Sequence, residues 1–166
     1  MEKIVVKRKT FKDNLIVAGI ILGTFIAIVA VLNVPIIAKL GMGLFLAAGF
    51  IYLAYRLITA RNVEFEYVVT NGELDIDKIV SKRKRKRVFS ASCKEFDILA
   101  KVKSSNFNHN VQEIKKRIDA SSSLDSPDAY FATLNYKGEK TVIIFEPDER
   151  MLNNFKIFIP RKMLLN

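Results

Sequence analysis

The sequence predicts an α+β architecture: a membrane α-helical hairpin followed by a mostly β domain of about six or seven antiparallel strands with a C-terminal helix. Three observations carry this. Residues 15–55 form an apolar block with a single charge, Lys39. The chain from Arg61 onward is charged throughout and contains short runs in which apolar and polar residues alternate. An apolar stripe at helical spacing then lies between Pro147 and Pro160.

Composition agrees with this segregation. Of 166 residues, 50% are hydrophobic and 27% charged, and the two classes occupy different stretches instead of averaging into one globule. A single cysteine, Cys93, excludes an internal disulfide, and a single histidine, His109, excludes a His-rich metal site. No Asn-x-Ser/Thr sequon is present. The basic start before an apolar run resembles a signal peptide, but no small-x-small cleavage pattern follows and a second apolar segment comes at once.

A spanning helix needs about 20 residues, so the apolar block fits two spans and a tight turn. Two breaks are available, Asn33-Val34-Pro35 and Lys39-Leu40-Gly41. The spans are expected over about 15–32 and 37–58. Gly19, Gly23 and Ala27, with Gly43, Ala47 and Ile51, recur every fourth residue, which suits either close helix packing or ordinary membrane-helix composition. No carboxylate, His or Arg sits mid-span, which argues against a proton or ion pathway. Residues 1–14 are read as a basic N-terminal stretch. Lys3, Lys7, Arg8, Lys9 and Lys12 precede the first span, and Arg56 and Arg61 follow the second. The positive-inside rule then puts both termini in the cytoplasm of a multi-pass inner-membrane protein.

A linker over 59–62 leads into a cytoplasmic domain over 63–166. Its strongest local signal is a hairpin in which Asn71-Gly72 suits a type I′ turn. A two-residue loop pairs Thr70 with Glu73, Val69 with Leu74, Val68 with Asp75, Tyr67 with Ile76 and Glu66 with Asp77. That register puts Tyr67, Val69, Leu74 and Ile76 on one face, and Glu66, Asp75 and Asp77 on the other. Further strands are expected around Val88 to Cys93, Phe96 to Val102, Tyr130 to Tyr136 and Thr141 to Phe145, the last two joined across Lys137-Gly138. Residues 104–128, rich in Ser and Asn, read as a mobile connection with a short helix around 111–118. Glu146-Pro147-Asp148-Glu149 opens the final helix, whose stripe is Met151, Leu152, Phe155, Phe158 and Ile159.

This order of strands, connection, final hairpin and amphipathic helix resembles a pleckstrin-homology-like barrel beside a transmembrane hairpin. More narrowly, Glu66-Tyr67-Val68-Val69-Thr70-Asn71-Gly72-Glu73-Leu74-Asp75-Ile76-Asp77-Lys78-Ile79, the Arg/Lys run after it, Phe145-Glu146-Pro147 and Met151-Leu152 are similar to an uncharacterised bacterial family of small two-span membrane proteins. The resemblance covers most of the chain and transfers no catalytic residues.

The run Lys82, Arg83, Lys84, Arg85, Lys86 and Arg87 is the candidate lipid- or partner-binding site. After Arg56 there are 20 Lys and Arg against 15 Asp and Glu, and without residues 82–87 the balance is 14 against 15. One reading is attraction to anionic headgroups. Another is cross-strand ion pairing with Glu73, Asp75 and Asp77, with alternate side chains left free. Nucleic acid is disfavoured as a partner, because the run lacks interleaved aromatics. No cofactor or metal is expected. Cys93 with His109 is a weak nucleophile pair, Asp75 with Asp77 a weak cation pair, and no phosphate-cradling glycine loop exists. The expected function is a non-enzymatic binding or adaptor module for protein partners or anionic lipid headgroups. The alternative is an accessory or scaffold subunit of a larger membrane complex, recognised through the hairpin; the expected partners are membrane lipids and an unidentified membrane protein or a second copy of the chain.

Overall fold

The computed structural model describes residues 1–164, so the last two residues of the domain expected over 63–166 lie outside the described residues. Two compact units divide the chain. One is Lys9–Asn62, and the other joins Met1–Arg8 to the chain from Val63 onward.

The helical unit uses both break points. Helix α1, Phe11–Leu32, opens with the Thr10 backbone N–H donating to the Asp13 carboxylate at 2.9 Å, which satisfies one otherwise orphaned donor. It stops at Asn33, two residues before Pro35. A short helix α2, Pro35–Lys39, follows, and Gly41 at φ +67° breaks the chain again before α3, Gly43–Thr59. The expected second span over 37–58 is therefore interrupted, because the left-handed backbone at Gly41 ends one helix and residues 40–42 belong to neither. By length and composition α1 is able to cross a membrane, and α3 is a shorter apolar helix of 17 residues. Asp13 and Arg61 form an ion pair between the start of α1 and the residues just after α3. Of the glycines singled out, Gly43 is in close approach: a Cβ added there would lie 3.0 Å from Leu32 Cδ2, whereas Gly19 and Gly23 have nothing within 4 Å.

The second unit is built from two sheets. Strands β1 (Glu2–Val6), β2 (Val63–Thr70), β3 (Glu73–Val80) and β4 (Lys84–Ser92) form the first, in that order. Strands β5 (Phe96–Lys101), β6 (Lys116–Asp119), β7 (Tyr130–Tyr136), β8 (Glu139–Phe145) and β9 (Met163–Leu164) form the second, in the order β6-β8-β7-β5-β9. The expected β2–β3 register is observed pair for pair, from Thr70 with Glu73 to Glu66 with Asp77. Asn71 and Gly72 both take positive φ, as a type I′ turn requires. Gly72 is doubly constrained, since a Cβ there would also lie 2.9 Å from the Phe158 ring.

Between the sheets lie Tyr67, Leu74, Ile76, Phe89, Phe96, Leu134, Ile143 and Phe145, all buried. Helix α5, Glu149–Phe158, is capped by Asp148, whose carboxylate accepts from the Met151 N–H at 2.8 Å, and presents Met151 and Phe155 to this core. The sheet of β7 and β8 is buried on its other face too. There Phe131, Val142 and Ile144 are covered by Phe107, Val111 and Ile114, from the stretch expected as a mobile connection. That stretch holds helix α4, His109–Gln112, and strand β6.

Strand β1 is the main departure from the sequence reading. Residues 1–14 read as a basic stretch because of their lysines, yet Glu2–Val6 pairs antiparallel with β2 over five residues, from Glu2 with Val68 to Val6 with Glu64. Val5 is buried in the core. The helical unit is thus an insertion between two neighbouring strands of one sheet.

Candidate functional site

Strand alternation divides the basic run between the two faces of β4. Arg85 and Arg87 turn to the face that carries Glu66, Asp75 and Asp77. Arg85 forms ion pairs with Glu66 and, at 3.8 Å, with Asp77. Arg87 meets Asp75 at 2.9 Å through Nη1 and Asp77 at 2.5 Å through Nε. The two acids deepest in the ladder are nearly covered, Glu66 at 5% and Asp77 at 6% exposure, while the arginines cover them from the solvent side. Burial pushes the Glu66 carboxyl above its ordinary value, and the nearby Glu2 carboxyl adds to this, with Arg85 opposing. Asp77, with Asp75, holds the Arg87 guanidinium above its usual range.

Ion pairing of the run with the acidic strand therefore exists for Arg85 and Arg87, and extends across β3 to Glu66 on β2. Glu73, named from sequence as a third acid, instead pairs along the backbone with Ser92. Local spacing does not reveal the contact with Glu66, because it depends on a guanidinium long enough to span one intervening strand.

The opposite face is arranged differently. Lys86 stands directly across from Lys78, and Lys84 across from Val80. Lys82 follows Ser81 in the turn, both at φ +55°. Lys82, Lys84 and Lys86 are exposed and Lys78 half-buried. None of these four lysines has an ion-pair partner among the described residues.

Register also fixes which end of the sheet the turn occupies. Val63 pairs with Val80, and Val80 with Lys84, so residues 81–83 stand at the same end as the start of β2. At about 5 Å per strand, the turn is roughly 10 Å sideways from the point where the chain enters β2.

The other residues singled out for chemistry each have partners of their own. Cys93 is buried, its thiol pushed up by burial, and its N–H donates to Gly72 O at 2.7 Å. His109 is exposed on α4 and paired with Glu113 at 3.2 Å. Asp75 and Asp77 both engage Arg87, which competes directly with any cation.

A second polar cluster, unpredicted from sequence, closes the two sheets against each other. The buried Tyr67 hydroxyl donates to Ala120 O at 2.7 Å and accepts from the Glu146 N–H at 3.3 Å. The nearly buried Glu146 carboxylate accepts from the Ser122 N–H at 2.8 Å and the Ser122 hydroxyl at 2.7 Å. Asp119 accepts from the Ser121 N–H and hydroxyl and from Lys7 Nζ at 2.6 Å.

Comparison with curated proteins and with solved structures returns no match. The model of one family matches nearly the whole sequence, membrane-length helix and sheets together, over residues 1–165. The matched residues take in the helical insertion, both sheets and the C-terminal helix, and the chain belongs to the bacterial PH-like domain family (DUF6106).

Proposed function

We propose that this chain is a membrane-anchored, non-enzymatic binding or adaptor module that presents its PH-like domain at the inner face of the membrane. PH-like domains generally serve as binding modules, which supports the non-enzymatic part of this reading.

The observation that carries the anchoring is the pairing of β1 with β2. Adjacent strands lie about 5 Å apart, so the two ends of the insertion leave and re-enter the domain side by side. A chain that starts and finishes at one point crosses a bilayer an even number of times. If α1 goes across, the chain returns before Val63, and α3 is the apolar segment available for the return. Its 17 residues span about 26 Å at 1.5 Å per residue, a little less than the roughly 30 Å hydrocarbon core, within what local thinning and snorkelling side chains accommodate. The same pairing opposes a cleaved signal: a cut after α1 would remove β1 and the buried Val5 from the domain. Lys7, Arg8, Lys9, Lys12, Arg56 and Arg61 at the paired end, against Lys39 alone at the turn, favour the cytoplasmic side for both termini.

A test is to tag both ends of the full chain and probe them in inverted and right-side-out vesicles after alkaline extraction. The expected outcome is retention in the membrane, with both tags and the domain accessible only in inverted vesicles. Tags on opposite sides, or a mature chain lacking its first helix, would overturn the reading.

One observation favours the second reading, a subunit recognised through its hairpin: Gly19 and Gly23 face open space instead of α3. Native mass measurement in mild detergent separates the two, since a monomer without a companion protein counts against it.

A further inference from the structure

We infer that the basic run is two devices interleaved on one strand. Arg85 and Arg87 hold the sheet together, while Lys82, Lys84 and Lys86, with Lys78, form a contact for the anionic phospholipid headgroups of the membrane that anchors the chain. This rests on the anchored reading above and assigns the ligand class and the residues of that same site.

Three features of the domain carry it. First, the arginines are committed. Both are in ion pairs with Glu66, Asp75 or Asp77, so their charge is largely neutralised within the sheet. Second, the lysines are left over. Lys78 and Lys86 oppose each other directly across β3 and β4, a like-charge pair that is unfavourable by itself and is relieved by an anion from outside. Lys84 shares their face by alternation, and Lys82 extends the charge into the turn. Third, the register sets this group at the end of the sheet where the chain passes into the helical insertion. Only residues 60–62 lie between α3 and β2, a reach of about 10 Å, comparable with a Debye length at physiological salt. A tether of that length lets the end of the sheet that carries the lysines come within the surface potential of an anionic bilayer.

The ligand is a diffuse array of headgroup phosphates and not one enclosed anion, because the exposed lysines form a line along a strand and turn. An acidic polypeptide would meet the same charges. Headgroups are favoured because the anchor already supplies them at high local concentration, whereas a soluble partner has to be recruited.

The test uses the full chain in mild detergent, offered phosphatidylglycerol or phosphatidylcholine, with retained lipid counted by native mass spectrometry at low and high salt. The expected result is a salt-sensitive preference for phosphatidylglycerol that falls about fivefold for each of Lys82→Gln, Lys84→Gln and Lys86→Gln. Arg85→Gln with Arg87→Gln should retain that preference while lowering the unfolding temperature. Lipids held around the helices are common to all variants and cancel in the comparison. The inference is overturned if the lysine variants retain phosphatidylglycerol as wild type does, or if the preference is lost with the arginines and kept without the lysines. Polyglutamate that displaces phosphatidylglycerol from wild type but not from the lysine variants would transfer the site to acidic proteins. In each failing case the anchored reading still stands on the vesicle experiment.

Discussion

Two regions of this domain bury carboxylates, and they do so by opposite means. On the outer face of the first sheet, Glu66 and Asp77 are covered by the guanidinium groups of Arg85 and Arg87, whose side chains remain half in water at 57% and 50% exposure. At the seam between the sheets, Glu146 is held by neutral donors, the N–H and hydroxyl of Ser122, beside a Tyr67 hydroxyl with no access to solvent. A solvated partner can rehydrate when its acid is removed. A buried serine N–H cannot, so the seam is the more brittle of the two.

The hairpin that bears the ladder has one brittle point of its own, and it should give the largest effect. Gly72→Val places a β-branched side chain at φ +80° and drives its Cβ into Phe158, for an expected loss of about 2–4 kcal/mol in chemical denaturation of the full chain. Next, Glu146→Ala strips two hydrogen bonds to a charged acceptor and leaves the Ser122 donors unpaired, costing about 2–3 kcal/mol. Asp77→Ala, at an acid just as buried, should cost about 1 kcal/mol or less, because Arg87 returns to water. Equal losses from these two alanine variants would abolish the distinction. Tyr67→Phe removes the hydroxyl that joins Ala120 to Glu146 and should cost about 1–2 kcal/mol, read as a lowered unfolding midpoint with near-ultraviolet circular dichroism otherwise unchanged.

The smallest effect sharpens the comparison by pH. Because the Glu66 carboxyl is raised when folded, the native state binds more protons than the unfolded chain around and above the ordinary glutamate value. Its contribution is fully present at low pH and declines as pH rises through the raised value. Glu66→Gln should flatten that decline in melting temperature measured from pH 4 to pH 7. A variant with the wild-type slope would remove Glu66 as its cause.

The same contrast explains what the sequence made legible. The β2–β3 hairpin was readable to the residue, because an Asn-Gly turn and strict alternation fix register within the short stretch Val63 to Val80. Division of residues 84–87 between two faces followed from the same alternation, while Lys82 and Arg83 lie in the turn. The seam was not readable, because it needs β6, a charged four-residue strand that pairs in parallel with β8, and the serines after it carry no periodicity. Strand β1 was hidden for a related reason: its partner lies beyond the whole helical insertion, and its lysines serve equally well as a membrane flank. Strand β9, two residues beside β5, is too short for any pattern.

The split of one sheet by the helical insertion also orders the protein's biosynthesis. Strand β1 leaves the ribosome first, yet its partner does not exist until residues 9–62 have been made. Loop-closure entropy over such a flexible interval opposes early pairing, whereas a helical segment whose ends have been brought together largely removes that cost. The first sheet is therefore completed only after α1 and α3 have folded back on one another, so a chain whose helices fail to pair is left with an unpaired edge on β2, the kind of exposed template that aggregates or is degraded.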